Sequence, residues 1–102
     1  MYAVILSDAA QTDLDNIVRH IAVDNPTAAE KLGLDLIDVA MSLETLPYRG
    51  SRVRKHPGVL KLIHDSYVIT YRVEESNHIV QVLGFTHGAR IKEISEAIQY
   101  CE

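Results

Sequence analysis

Asp24-Asn25-Pro26 separates two stretches of helical period and leaves them a link of only two or three residues. Before it, Ala10, Leu14, Ile17, Val18 and Ile21 recur at i, i+4, i+7, i+8 and i+11, one face of an α-helix. After it, Ala29, Leu32, Leu36, Val39, Ala40, Leu43 and Leu46 keep the same period until Leu46-Pro47-Tyr48-Arg49-Gly50 ends it. Asn25 can cap the second helix, and Pro26 suits its first position, where no donor is needed. So short a link forces an antiparallel helical hairpin. Gly33, inside the second helix, costs about 1 kcal/mol against Ala; a close helix–helix approach is the expected reason.

A hairpin of amphipathic helices must bury its apolar stripe, and the rest of the chain offers strands to bury it on. Tyr2 to Leu6 is a short apolar run closed by Ser7-Asp8, a strand leading into a helix cap. Leu60 to His64, Tyr67 to Val73 and Ile79 to Thr86 read as three more strands, joined by turns at Asp65-Ser66 and Glu75-Ser76-Asn77. A short extended piece at Arg52–Lys55 precedes them. Plain alternation in the last strand puts Ile79, Gln81, Leu83 and Phe85 on one face and Val80 and Val82 on the other. From Ala89 the period is helical again, with Ile91, Ile94 and Ile98 on one side. The order is β-α-α-β-β-β-α. The expected fold is α+β: a small, mainly antiparallel sheet with the hairpin packed on one face and a more polar, more open face opposite.

The 102 residues suit one domain, 1–102, with a modest core. A single cysteine, Cys101, allows no intrachain disulfide, and no apolar run approaches the ~20 residues of a membrane span. A soluble, cytoplasmic protein is the default expectation. Net charge −4 and a pI near 5.7 argue against a general nucleic-acid binder.

The charge is unevenly spread. Residues 1–48 carry eight acidic and two basic side chains, whereas residues 49–72 carry six basic ones against Asp65 alone. The cations Arg52, Arg54, Lys55, Lys61, Arg72 and Arg90 therefore lie on or beside the sheet. They form a local field able to steer an anionic partner, or a solvated face that balances the acidic helices. Arg52 and Arg54 share a face if that stretch is extended.

No His pair among residues 20, 56, 64, 78 and 87 has i, i+4 spacing, so no metal site and no cofactor is expected. His87 ends a strand before Gly88 and close to Arg90. It suits either a phosphate donor or acid/base group, or a structural corner residue. Tyr67 and Tyr71 share a sheet face, for core packing or for stacking on a base. The carboxylates, among them Asp8, Asp13, Asp15, Asp35, Asp38 and Glu44, fall mostly on outward helix positions.

The strings LSDAAQTDLDNIVRHIAVDNPTAA, LETLPYRGSRV, GVLKLIHDSYVITYRV and VQVLGFTHGAR, in this order, resemble the RelE/ParE superfamily of bacterial type II toxins. The likeness runs from Tyr2 to about Arg90; YVITYRV followed by a strand and HGAR is its most specific element. It implies the fold inferred above, a plasmid-stabilization role and a cognate antitoxin. The superfamily has two branches. The RelE-like branch cuts messenger RNA on the ribosome, and there an Arg after the first aromatic of the Tyr-x-x-x-Tyr strand holds the scissile phosphate. Here that position is Val68. If this chain were such a ribonuclease, Lys61, Arg72, His87 and Arg90 would be its catalytic set. The ParE-like branch binds DNA gyrase and stalls it on cleaved DNA; Tyr71-Arg72-Val73 and His87 fit it better. The resemblance thus implies a gyrase-binding toxin with no catalytic residues. Its target and antitoxin surface would use Arg52, Arg54, Lys61, Arg72, His87 and Arg90, with the C-terminal helix as a second contact. A ribosome-dependent ribonuclease is the alternative, and a degenerate toxin that keeps only the interaction role is a third.

Overall fold

A computed structural model of the protein describes residues 1–54 and 56–87. The order is β1 (Ala3–Leu6), α1 (Asp8–Ala22), α2 (Pro26–Met41), a 3-10 turn (Ser42–Glu44), β2 (Ser51–Arg52), β3 (Val59–His64), β4 (Tyr67–Glu74) and β5 (Ile79–His87). The expected C-terminal helix, Arg90 and Lys55 lie outside the described residues.

Local chemistry sets the helix ends. Ser7 Oγ accepts the Ala10 N–H at 3.1 Å and caps α1. Asn25 Oδ1 accepts the Ala28 N–H at 3.1 Å, and Pro26 opens α2. A Cβ on Gly33 would sit 3.0 Å from Val18 Cγ2, so the glycine does permit a close approach of α2 to α1. α2 stops earlier than its period suggests: Ser42 Oγ donates to the Val39 carbonyl, and the chain tightens into the 3-10 turn that buries Leu43.

The sheet has the order β1-β5-β4-β3-β2. β3–β4, β4–β5 and β2–β3 are antiparallel; β1 runs parallel to β5 at one edge. The hairpin carries the chain from β1 across one face, as the expected α+β architecture requires. Its Ala10, Leu36 and Ala40, with Leu43 of the 3-10 turn, form one core with Leu60, Leu62, Ile69, Tyr71, Val80, Val82 and Phe85.

Two strand expectations change. The extended piece after the hairpin is only Ser51–Arg52: Val53 still donates its N–H to the Val59 carbonyl at 2.9 Å, but Arg54 already lies in a turn, so Arg52 and Arg54 do not share a strand face. In β5, Thr70 faces Gly84 while Tyr71 faces Val82, so Leu83 is an extra residue and the strand bulges. The bulge reverses the alternation. Val80, Val82 and Phe85 all point to the core, where plain alternation would separate Phe85 from the two valines.

Tyr71 has no exposed surface, and its hydroxyl accepts the Gly50 N–H at 3.0 Å. It is a core residue tied to the segment before β2, not a platform for a base.

Candidate functional site

Directly opposed residues on neighbouring strands share a sheet face. His64, Tyr67 and His87 form one such row across β3, β4 and β5 on the helix side, and the Tyr67 and His87 rings meet edge to face at 5.3 Å. Leu60 and Tyr71 continue that side, and Arg52 pairs with Leu60 at the β2 edge. The other face carries Ile5, Gln81, Arg72 and Val59 in one row, and Gly84, Thr70, Lys61 and Ser51 in the next.

Lys61 and Arg72 are diagonal neighbours on that second face, at a Cβ spacing of about 7–8 Å. No carboxylate pairs with either among the described residues. Two isoleucines of the same face are exposed: Ile63 (61%), two residues along β3 from Lys61, and Ile5 (48%), beyond Gln81 from Arg72. The face is less polar and less open than expected, since Val59, Val68 and Thr70 are buried in it. Val68 is 2% exposed. Position 68 thus carries a packed apolar side chain and no cation.

Of the six basic and imidazole residues singled out in the sequence, the five that are described do not form one cluster. Lys61 and Arg72 come together. Arg52 lies toward the helix side of the opposite edge, Arg54 is exposed in a turn, and His87 is exposed on the helix side at the end of β5. Arg90 lies outside the described residues. Among the described residues, no group of three or more His, Cys, Asp or Glu side chains is placed to hold a metal ion.

Two clusters escape a reading of the sequence. Asp13, expected on a solvated helix face, is half-buried and lines a cleft of about 480 Å³ between α1 and the ends of β4 and β5. Its Oδ2 accepts the Phe85 N–H at 3.2 Å, just past the bulge. Gly84 permits this approach, since a Cβ there would come within 2.8 Å of the same oxygen. The signal was available: Asp13 falls between Ala10 and Ile17 on the apolar stripe. Elsewhere, Glu75 accepts hydrogen bonds from the Tyr2 hydroxyl (2.8 Å) and the Tyr48 hydroxyl, joining the residue before β1, the segment after α2 and the β4–β5 turn. These bonds hold the Glu75 carboxyl below its ordinary range, and the same carboxylate pushes the Tyr48 phenol up to about 12.

Burial pushes the Asp13 carboxyl above the usual Asp range, with the Phe85 N–H opposing. A carboxyl raised on folding stabilises the protein most below its unfolded pKa of about 3.9, and that advantage is lost as pH rises through the folded value. Asp13→Asn keeps an acceptor for Phe85 and removes the ionisation. The variant should gain stability relative to the native chain as pH rises from the acid side to neutrality. Urea unfolding midpoints across that range measure it, and a pH-independent difference would show that Asp13 ionisation carries no cost.

The family profile described as "ParE toxin of type II toxin-antitoxin system, parDE" matches residues 4–92. The chain belongs to the ParE toxin family. Among solved structures, this ParE-family toxin is similar to a chain of the chromosomal ParDE system from P. aeruginosa, at 25% identity, TM-score 0.73, and coverage of 85% of this chain and 96% of that one. It shares its fold with a chain of the RelBE2 toxin–antitoxin complex from Mycobacterium tuberculosis, at 21% identity, TM-score 0.68, and coverage of 84% and 96%. The isolated E. coli RelE toxin has the same fold at 20% identity and TM-score 0.59, each chain covered in full. No curated protein matches. The toxin is thus a type II system component of the RelE/ParE superfamily, on the scaffold shared by both branches.

Proposed function

We propose that this toxin arrests growth by binding DNA gyrase rather than by cutting RNA, and that a cognate antitoxin neutralises it in the cytoplasm. The observation that carries the reading is the division of polar groups by the sheet. General acid/base cleavage needs the proton-transfer group and the phosphate clamp within hydrogen-bond reach of one scissile group. Lys61 and Arg72 occupy one face, while His87 is turned to the other by the Leu83 bulge. Val68 is packed where a phosphate-gripping arginine would be needed.

The Lys61/Arg72 face suits a protein contact. Cations without carboxylate partners among the described residues share the face with exposed Ile63 and Ile5, the mix of arginine and apolar surface found in the cores of interfaces. The family assignment and the toxin–antitoxin complexes among the structural relatives support an antitoxin as a second partner. An acidic antitoxin segment that folds on binding would meet the Arg52, Arg54 and Arg72 surfaces, with apolar anchors beside the hairpin.

Expression without antitoxin tests the reading. The expected outcome is growth arrest with broken chromosomes and intact messenger RNA. Arrest with codon-specific messenger cleavage would reject it in favour of the ribonuclease, and unimpaired growth would point to a degenerate toxin.

A further inference from the structure

The cleft between α1 and the strand ends lies on the helix side of the sheet, away from Lys61 and Arg72. It is lined by Asp13, Asn16, Ile17, His20, Tyr67, Phe85, Thr86 and His87, and at about 480 Å³ it falls within the size range of small-ligand sites. Its chemistry is selective. Among the described residues that line it, Asp13 is the one carboxyl, and no cation among the described residues pairs with it; its hydrogen bond comes from the Phe85 amide. A half-buried carboxylate in that state favours a cationic ligand and repels a phosphate or carboxylate.

The walls narrow the choice of cation. Tyr67 and His87 present rings at 85° to each other, so a flat cation can face one ring while the other closes its edge. Ile17 and Phe85 supply apolar surface for an aliphatic stem. Beyond Asp13, the Asn16 amide oxygen is a further side-chain acceptor among the lining residues; Thr86, opposite Val68, belongs by register to the other sheet face. A guanidinium has five N–H donors in one plane and uses several acceptors at once; a lysine ammonium is a more strongly hydrated point charge that gains less from flat walls.

We propose that this cleft is a recognition site for an alkylguanidinium group, supplied by an arginine side chain of a partner polypeptide. The inference is independent of how the toxin acts on its target, because neither Lys61 nor Arg72 lines the cleft.

The test is an NMR titration of the full chain with N-acetyl-arginine-N-methylamide, following the ring resonances of His20, Tyr67 and His87. Saturable shifts at millimolar ligand are expected, with binding at least about tenfold weaker for the uncharged citrulline isostere and clearly weaker for the lysine analogue. Asp13→Asn should lose about tenfold or more in affinity. His20→Ala, at an exposed position with no bond to the sheet, should lose severalfold with the fold intact, which keeps the test open if the Asp13 variant unfolds. No shift at tens of millimolar, or equal binding of arginine and citrulline analogues, would overturn the proposal. Free arginine binding more tightly than its blocked form would overturn the assignment to a polypeptide side chain.

Discussion

Gly50→Ala is expected to destabilise the toxin by about 3 kcal/mol, at the upper end of overpacking penalties. The added Cβ would stand 2.4 Å from the Lys61 carbonyl oxygen and 2.7 Å from the Tyr71 hydroxyl. The first contact is backbone in the middle of β3 and cannot rotate away. The second is the fixed end of a core tyrosine, whose hydroxyl accepts the Gly50 N–H. Relief would require the strand edge to move off β3, breaking the Ser51–Lys61 and Arg52–Leu60 pairing. For a domain near 100 residues, each kcal/mol shifts Tm by roughly 4–8 °C, so a fall of about 12–24 °C is predicted. Calorimetry of the purified variant measures it. A Tm within a few degrees of the native value would show that the Gly50 segment adapts freely, and that Tyr71 does not lock it to the core.

Charge reversal on the sheet face, Lys61→Glu with Arg72→Glu, is expected to abolish growth arrest while leaving Tm close to that of the native toxin. Arg72 is exposed and Lys61 half-buried, and neither has a carboxylate partner to lose among the described residues, so folding has little at stake. At an interface the loss is larger, because the reversed charges repel what the native ones attract. Truncating one partner of a buried charge contact costs about 2–5 kcal/mol, roughly thirty- to several-thousand-fold in affinity, and reversal of two should reach at least that. The double variant's dissociation constant for purified gyrase, measured at low salt, checks the binding. Retained toxicity with unchanged affinity would move the target surface elsewhere.

The helical hairpin was legible because its signals are local: Asn25 and Pro26 set the second helix, and Gly33 marked the approach that Val18 makes. Strand positions and the α+β class followed from periodicity and turn residues. Three features were not legible, each for a physical reason. The parallel pairing of Ala3–Leu6 with Ile79–Val82 joins segments more than 70 residues apart, and no local pattern encodes it. The Leu83 bulge left one weak trace, a glycine inside a strand, yet it reverses every side chain beyond it. Under plain alternation, His87 would share a face with Gln81 and Arg72, completing a set with the makings of a ribonuclease; the extra residue turns it toward Tyr67 instead. Asp13 reads as one of the outward helix positions, although its spacing from Ala10 and Ile17 also sets it beside the buried stripe.

The most direct measurement is DNA supercoiling by purified gyrase in the presence of the purified toxin, with a translating ribosome and a defined messenger assayed in parallel. Binding through the Lys61/Arg72 face predicts inhibited supercoiling with accumulation of cleaved DNA, and no new messenger ends. Messenger scission at ribosome-bound codons, lost on His87→Ala, with gyrase unaffected, would contradict it: the imidazole on the helix side would then be acting at the same phosphate as the cations on the opposite face.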